Sequence, residues 1–197
     1  MINAPIRILI VAGLCVLALL GLVIRESMAR AAGTEILMAM EAVDPRALLS
    51  GHYVVIGLQE RLESNQSCPP SLTQITGPWL ALTPNGAHHS VAGAAESREA
   101  ALAMGPLAVR GDAFCREPTT STPEQAAPDL PGALNAGLGI ERFHINQTEA
   151  LRIEALLRAQ TTQQASRVFA ILSIGQDGRA RLKGLEVDGE RLELTWL

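Results

Sequence analysis

Aromatic side chains are scarce in this chain, making up 3% of its 197 residues. An aromatic-lined sugar groove or a base-stacking platform needs several such rings close together, and the chain has little material for either. The composition instead predicts an aliphatic core, because 48% of the residues are hydrophobic.

Positive charge is also in short supply. The formal net charge is −4, the isoelectric point is near 5.6, and Lys183 is the one lysine among sixteen basic residues. A nucleic-acid-binding surface would need a basic patch or stripe. The charge balance therefore argues against nucleic acid as a partner.

The sequence lacks the common catalytic signatures. It has no nucleophile elbow, no phosphate-binding loop and no zinc motif. Its histidines are scattered, and two that are adjacent on a predicted strand would point to opposite faces; they are His52, His88, His89 and His144. We expect no metal ion, no cofactor and no catalytic residue, and the sequence leans against an enzyme.

One long apolar run is present, over residues 8–24, between Arg7 and Arg25. As a helix it would extend about 25 Å, slightly less than the roughly 30 Å hydrocarbon core of a bilayer. A soluble core helix would need a polar face, which the run lacks. A cleaved signal peptide is the other alternative, with a small-x-small site at residues 29–31. The length of the run favours a retained anchor.

These observations predict a single-pass membrane protein. Residues 1–33 form the anchor and juxtamembrane segment, and residues 34–197 form one domain outside the cytoplasm, since a long C-terminal domain is translocated largely regardless of flanking charge. An oxidising compartment permits a disulfide. The sequence leaves open whether Cys68 and Cys115 form that bond or remain two thiols.

The periodicity of residues 34–197 predicts an α+β fold that is mainly antiparallel β, as a sheet or partial barrel with one accessory helix. The helix opens at Asn146, a capping residue followed by Glu149. Four prolines predict a mobile surface loop over residues 116–137. The predicted strands are residues 36–43, 53–62, 79–83, 88–92, 94–104, 106–114, 168–174, 179–187 and 191–197.

The segment from Asp44 to Gly51 is predicted to form a short helix. Asp44 and Pro45 suit the start of a short helix, and Gly51 suits its left-handed end.

The closing strands are separated by Asp-Gly pairs that contain Gly178 and Gly189. Between them Arg179, Arg181 and Lys183 are predicted to face water, and Gly184 marks a phase slip typical of a β-bulge.

Several segments resemble the GDYXXLXY family of bacterial membrane-anchored proteins. The matching blocks are Val43-Asp44-Pro45-Arg46, then residues 51–58, residues 139–143 and the closing hairpin from Asp177 to Gly189. The resemblance implies an N-terminal membrane anchor and an extracytoplasmic domain, and it implies no activity. In a bacterial protein the anchor is expected in the inner (cytoplasmic) membrane and the domain in the periplasm. Three positions depart from the family pattern: His52 replaces an aspartate, Ile56 a leucine and Leu58 a tyrosine.

Two functional hypotheses follow. The favoured one is a non-enzymatic interaction module, held in the bilayer by residues 8–24, for an integral membrane or envelope protein. The alternative is an extracytoplasmic hydrolase or small-ligand-binding domain, in which polar residues of the family blocks converge. The candidate residues for interaction or ligand contact are Arg46, His52, Tyr53, Glu141 and Arg142.

Overall fold

A computed structural model describes residues 4–41, 53–55, 57–62, 66–72, 77–118, 132–140, 142–144 and 168–193. Its helices are α1 (Ala4–Ala32) and α2 (Arg98–Met104), with a 3₁₀ turn at Pro70–Leu72. Its strands are β1 (Thr34–Glu41), β2 (Tyr53–Val55), β3 (Gly57–Leu62), β4 (Trp79–Asn85), β5 (His88–Ala95), β6 (Leu107–Arg110), β7 (Asp112–Arg116), β8 (Gly132–Gly137), β9 (Arg142–His144), β10 (Val168–Ile174), β11 (Ala180–Val187) and β12 (Glu190–Glu193).

Helix α1 contains the apolar run and continues past it. Its segment Ile8–Ala32 is long and apolar enough to cross a membrane, and none of its most apolar part is buried against the rest of the protein. Leu9, for example, is 71% exposed. The apolar run of this helix has no polar face, as the sequence predicted.

The sheet is open and mostly antiparallel. Its main path runs β12-β11-β10-β1-β3-β8-β7, and β4, β5 and β6 extend it through β5. Strand β1 lies at the centre, antiparallel to β10 and β3, and meets β5 in parallel at the pair Met38↔His89. Strands β2 and β9 form a separate two-stranded sheet. The mainly antiparallel α+β architecture predicted from periodicity is confirmed.

The core is aliphatic, as the composition predicted. Its largest side chains with less than 2% exposure come from β1 and from strands on both sides of it. They include Met40, Leu80, Leu82, Ile171, Leu172 and Leu185.

The closing strands match the sequence prediction closely. Strand β10 has the predicted bounds, and β11 begins one residue later than expected. The β10–β11 register skips Lys183, because Ile171 pairs with Gly184 whereas Leu172 pairs with Leu182. This is the bulge that the phase slip predicted. A side chain at Gly184 would collide with the carbonyl of Leu192, so the position needs glycine.

Three predictions about the middle of the chain were wrong in part. The expected strand over residues 94–104 ends at Ala95, and α2 follows it. Ser97 caps this helix by accepting a hydrogen bond from Ala100 N at 3.2 Å, and alanine favours the helical state that the cap starts.

Residues 132–137 of the expected loop instead form β8. This strand is held by antiparallel partners on both sides, β3 and β7, so tertiary pairing overrides its weak local preference. The expected single strand over residues 53–62 is two strands in different sheets. The remainder of the loop, residues 119–131, and the helix expected from Asn146 lie outside the described residues.

A disulfide joins Cys68 and Cys115, whose Cα atoms are 5.8 Å apart. Both cysteines are buried, and the bond ties the segment after β3 to β7. It closes a loop over a sequence separation of 47 residues. The third cysteine, Cys15, is exposed on α1 and unbonded.

Loss of this bond is expected to destabilise the domain. Replacing Cys68 with serine should lower the free energy of unfolding by about 4 kcal/mol on the chain-entropy model for a loop of this length. The measurement is urea denaturation of the full chain in detergent, followed by circular dichroism. Cys15→Ser is the matched control and should leave the midpoint unchanged. An equal midpoint for both variants would contradict the assignment.

Candidate functional site

Helix α1 is joined to the sheet by one buried arginine. Arg181 in β11 is 9% exposed. Its Nε lies 2.6 Å from Oε1 of Glu26 in α1, and its two terminal nitrogens lie 3.1 and 2.9 Å from the carboxylate oxygens of Asp177. We call Glu26, Asp177 and Arg181 the arginine clamp. It corrects the prediction that Arg181 faces water.

The β10–β11 turn places Asp177 for this contact. Gly178 has a φ of 76° and closes the turn, and Asp177 accepts a hydrogen bond from the backbone of Arg179 at 3.0 Å. The side chains of Asp177 and Arg181 then meet across the start of β11. The hydrogen bond from Arg181, together with that backbone donor, holds the pKa of Asp177 well below its usual range. Hydrogen bonds to Asp177 and Glu26 raise the pKa of Arg181.

Further contacts fix the last turns of α1 on the sheet. Arg30 donates to the carbonyl of Lys183 at 2.7 Å. Gly33 lies so close to Ser173 Oγ that a Cβ there would overlap it. The end of α1 and the residue after it therefore make three contacts with the sheet. Glu26 and Arg30 contact β11, and Gly33 contacts β10.

The exposed face of the closing strands carries an ion-pair network. Glu35 accepts hydrogen bonds from Lys183 and Arg191, each at 2.6 Å. These contacts, led by the one from Lys183, lower the pKa of Glu35. Because the side chains are a quarter to under half exposed, solvent weakens this network and it contributes little to stability.

A second polar group is formed by residues of β3, β4 and β5. Glu60 Oε1 accepts a hydrogen bond from Asn85 Nδ2 at 2.9 Å and lies 3.4 Å from His88 Nε2. The ring centroid of His88 is 5.5 Å from that of Phe169. We call Glu60, Asn85, His88 and the adjacent His89 the histidine cluster.

His89 faces a small cavity beside this cluster. Met38, Leu58 and Leu134 are among the residues that line the cavity with it. The volume is about 10 Å³, the lower limit for one water molecule, so the cavity is too small for an organic ligand. Burial lowers the pKa of His89, helped by the neighbouring His88. Its Nδ1 is buried and accepts no hydrogen bond from the described residues.

Metal binding has no geometric support in the described part of the chain. Its histidine, cysteine, aspartate and glutamate side chains form no group of three arranged to hold an ion. The histidine cluster has the right residue types, but it joins one carboxylate to one imidazole ring.

The structure places only the backbones of two predicted interaction residues. Tyr53 pairs with His144, and Val55 pairs with Arg142, so the strands that carry Tyr53 and Arg142 are neighbours.

Eight other residues singled out from the sequence fall into two groups. Arg46, His52, Glu141, Asp44, Pro45 and Gly51 lie outside the described residues. Gly178 and Gly189, with φ of 76° and 83°, occupy the two Asp-Gly turns.

The sequence did not predict the arginine clamp or the histidine cluster. The histidine cluster has no local signal, because Glu60 and His88 are 28 residues apart on different strands. For the clamp a partial signal existed, since Asp177 and Arg181 are four residues apart. The third member, Glu26, is 155 residues away from Arg181.

Comparison with known proteins gives one result. The model of the GDYXXLXY protein family matches residues 15–185. The chain belongs to this family. No curated protein and no solved structure matches it. In this GDYXXLXY protein the defining stretch, residues 51–58, spans β2 and the start of β3, and it ends at Leu58, which is buried beside Met40.

Breaking the clamp should loosen α1 from the sheet. Arg181→Ala leaves the carboxylates of Glu26 and Asp177 unpaired, and we expect the free energy of unfolding to fall by about 1–2 kcal/mol. The loss is small for a broken ion pair because the side chains of Glu26 and Asp177 are 64% and 46% exposed. Urea denaturation of the full chain in detergent measures it. Arg179→Ala, which removes an exposed arginine two residues away, is the control. Equal midpoints would show that the clamp is not structural.

The lowered pKa of His89 predicts a pH dependence of stability. The unfolded chain takes up a proton near pH 6.5, whereas the folded protein takes it up only at a lower pH. Stability should therefore fall as the pH drops from about 6.5 to the folded pKa, by no more than about 1.4 kcal/mol per pH unit. His89→Gln should lack this part of the decline. If the free energy of unfolding falls equally in the parent and in His89→Gln between pH 7 and pH 5, the prediction is wrong.

Proposed function

We propose that this protein is a single-pass membrane protein whose β-rich domain lies outside the cytoplasm. In this proposal the domain is a non-enzymatic interaction module that docks on an integral membrane or envelope protein. The observation that carries the proposal is the continuity of α1, which runs without a break from an exposed apolar segment into the arginine clamp.

The energetics of α1 favour a bilayer over water. Fourteen large apolar side chains of this helix are at least 47% exposed. Removing that surface from water is worth on the order of 20 kcal/mol. A soluble domain has no reason to present such a surface, whereas a membrane anchor requires it.

The clamp favours a function at the membrane surface. Glu26 is two residues beyond the last apolar position of the run, and its carboxylate contacts the sheet directly. A domain on a long flexible linker could reach distant targets. A domain clamped at this distance can meet only partners that are in the membrane or close to it.

The disulfide favours the extracytoplasmic side. Disulfides persist in oxidising compartments such as the periplasm and are rare in the cytosol. Cys68 and Cys115 are joined, whereas the exposed Cys15 lies in the segment that would be within the bilayer. An orientation with the N-terminus in the cytoplasm accounts for both facts.

The alternative is an extracytoplasmic hydrolase or small-ligand-binding domain with a site near Arg46, His52, Tyr53 and Glu141. One observation favours it, namely that β2 and β9 bring the chain around Tyr53 and Arg142 together. The cavity beside His89 adds no support, because it lies elsewhere and is too small for an organic ligand. The interaction module remains the preferred proposal.

Topology is tested first on the full chain in cells. The protein should stay in the membrane pellet after carbonate extraction, and protease added to spheroplasts should digest the β-rich domain. Full protection of the domain in intact spheroplasts would reject the proposed orientation.

The partner is tested by crosslinking in intact cells. The full chain should give a discrete crosslinked product with a membrane or envelope protein. A matched control replaces residues 4–24 with a cleavable signal peptide, which releases the same domain into the same compartment and should lose most of the product. Recovery of the full chain alone under these conditions would contradict the interaction module.

A further inference from the structure

The clamp determines which end of the sheet would face the membrane. Glu26 follows the apolar run by two residues, a rise of about 3 Å along the helix. The polar headgroup layer on each side of a bilayer is roughly 5–8 Å thick. Because Glu26 and Asp177 bind the same guanidinium, the turn from Gly175 to Arg179 lies at the level of this layer when α1 spans the membrane.

Two arginines and a tryptophan surround this turn. The backbone N–H of Arg110 donates to the carbonyl of Gly178 at 2.7 Å, and its Nε donates to the carbonyl of Asp177 at 3.1 Å. Its guanidinium lies 4.7 Å from the ring centroid of Trp79. The Trp79 ring in turn packs against Gly178, where an added Cβ would collide with it. Arg179 is exposed on the same turn.

The charges at this turn are only partly cancelled. Arg181 with its two carboxylates, Glu26 and Asp177, carries a net charge of −1, and Arg110 and Arg179 add +2, which leaves +1. Arg110 donates to backbone carbonyls, which leaves its positive charge in place, and no carboxylate of the described residues pairs with Arg110 or Arg179. Both guanidinium groups therefore present positive charge beside an aromatic ring that is half-buried.

We propose that Trp79, Arg110 and Arg179 form a headgroup patch that binds the phosphates of lipids in an anionic bilayer. Tryptophan is enriched at membrane–water interfaces, and guanidinium groups bind phosphate through paired hydrogen bonds. Each arginine near an anionic surface strengthens attraction by about fivefold. The patch would hold the sheet against the surface and so set the tilt of the domain. This inference rests on the membrane anchoring proposed above.

The test measures how close Trp79 lies to the headgroups. The full chain carrying Trp196→Phe, which leaves Trp79 as the sole tryptophan, is reconstituted into vesicles of phosphatidylcholine and phosphatidylglycerol at 7:3, and the tryptophan is excited selectively over Tyr53. A fraction of the phosphatidylcholine bears a spin-labelled headgroup that quenches nearby tryptophan. The readout is the ratio of fluorescence with and without this quencher, which removes differences in intrinsic brightness.

We expect Trp79 to be quenched at least twofold more strongly in the parent protein than in Arg110→Gln/Arg179→Gln, with the difference shrinking in 0.5 M salt. Arg116→Gln is the matched control, because this exposed arginine lies at the other end of β7, roughly 13 Å along the strand from Asp112. In this control variant Trp79 should be quenched as strongly as in the parent protein. Equal quenching in the parent and the double variant would overturn the headgroup patch.

Flotation separates failure of this inference from failure of the anchor. If the protein does not float with the vesicles after carbonate treatment, α1 does not insert, and the proposed membrane anchoring fails together with the patch. If it floats but Trp79 is not quenched, the anchor stands and the headgroup patch is wrong. Equal quenching in vesicles of phosphatidylcholine alone would reject the requirement for anionic lipid.

Discussion

The contact of Arg181 with two carboxylates is the interaction on which the arrangement of this protein depends. A guanidinium buried to this degree is costly unless its charge is paired and its N–H groups are satisfied. One partner, Asp177, is local and comes with the turn. The other, Glu26, comes from the helix that carries the exposed apolar surface. The same residue thus completes the sheet and fixes the direction in which the apolar helix leaves it.

The parts of the fold that the sequence predicted well are those specified by neighbouring residues. The Asp-Gly turns at Gly178 and Gly189 require left-handed backbone, which glycine adopts at little cost. The bulge at Gly184 is visible because the alternation of apolar side chains slips by one position. Helix α1 is visible because a long run without charge has few structural alternatives. Each of these signals is contained within about twenty residues.

The parts that the sequence did not predict depend on distant residues. Strand β8 is rich in glycine and alanine, and it is a strand because β3 and β7 pair with it on either side. Arg181 alternates with Ala180 and Leu182 as a solvent-facing residue would, and only Glu26 explains its burial. The grouping of Glu60 with His88 likewise requires the sheet topology. The pairing of the segments around Tyr53 and Arg142 has no local signal either, because β2 and β9 are far apart in the chain.

The cavity beside His89 shows how little room the described sheet leaves next to this histidine. The family pattern has a tyrosine where this chain has Leu58, and Leu58 brings no hydrogen-bond donor to the cavity. Burial lowers the pKa of His89, and the room beside it is at the limit for one water. A general acid or base must reach a substrate within hydrogen-bond distance. This cavity gives His89 no space for an organic substrate, so we interpret His89 as a packing position of the sheet.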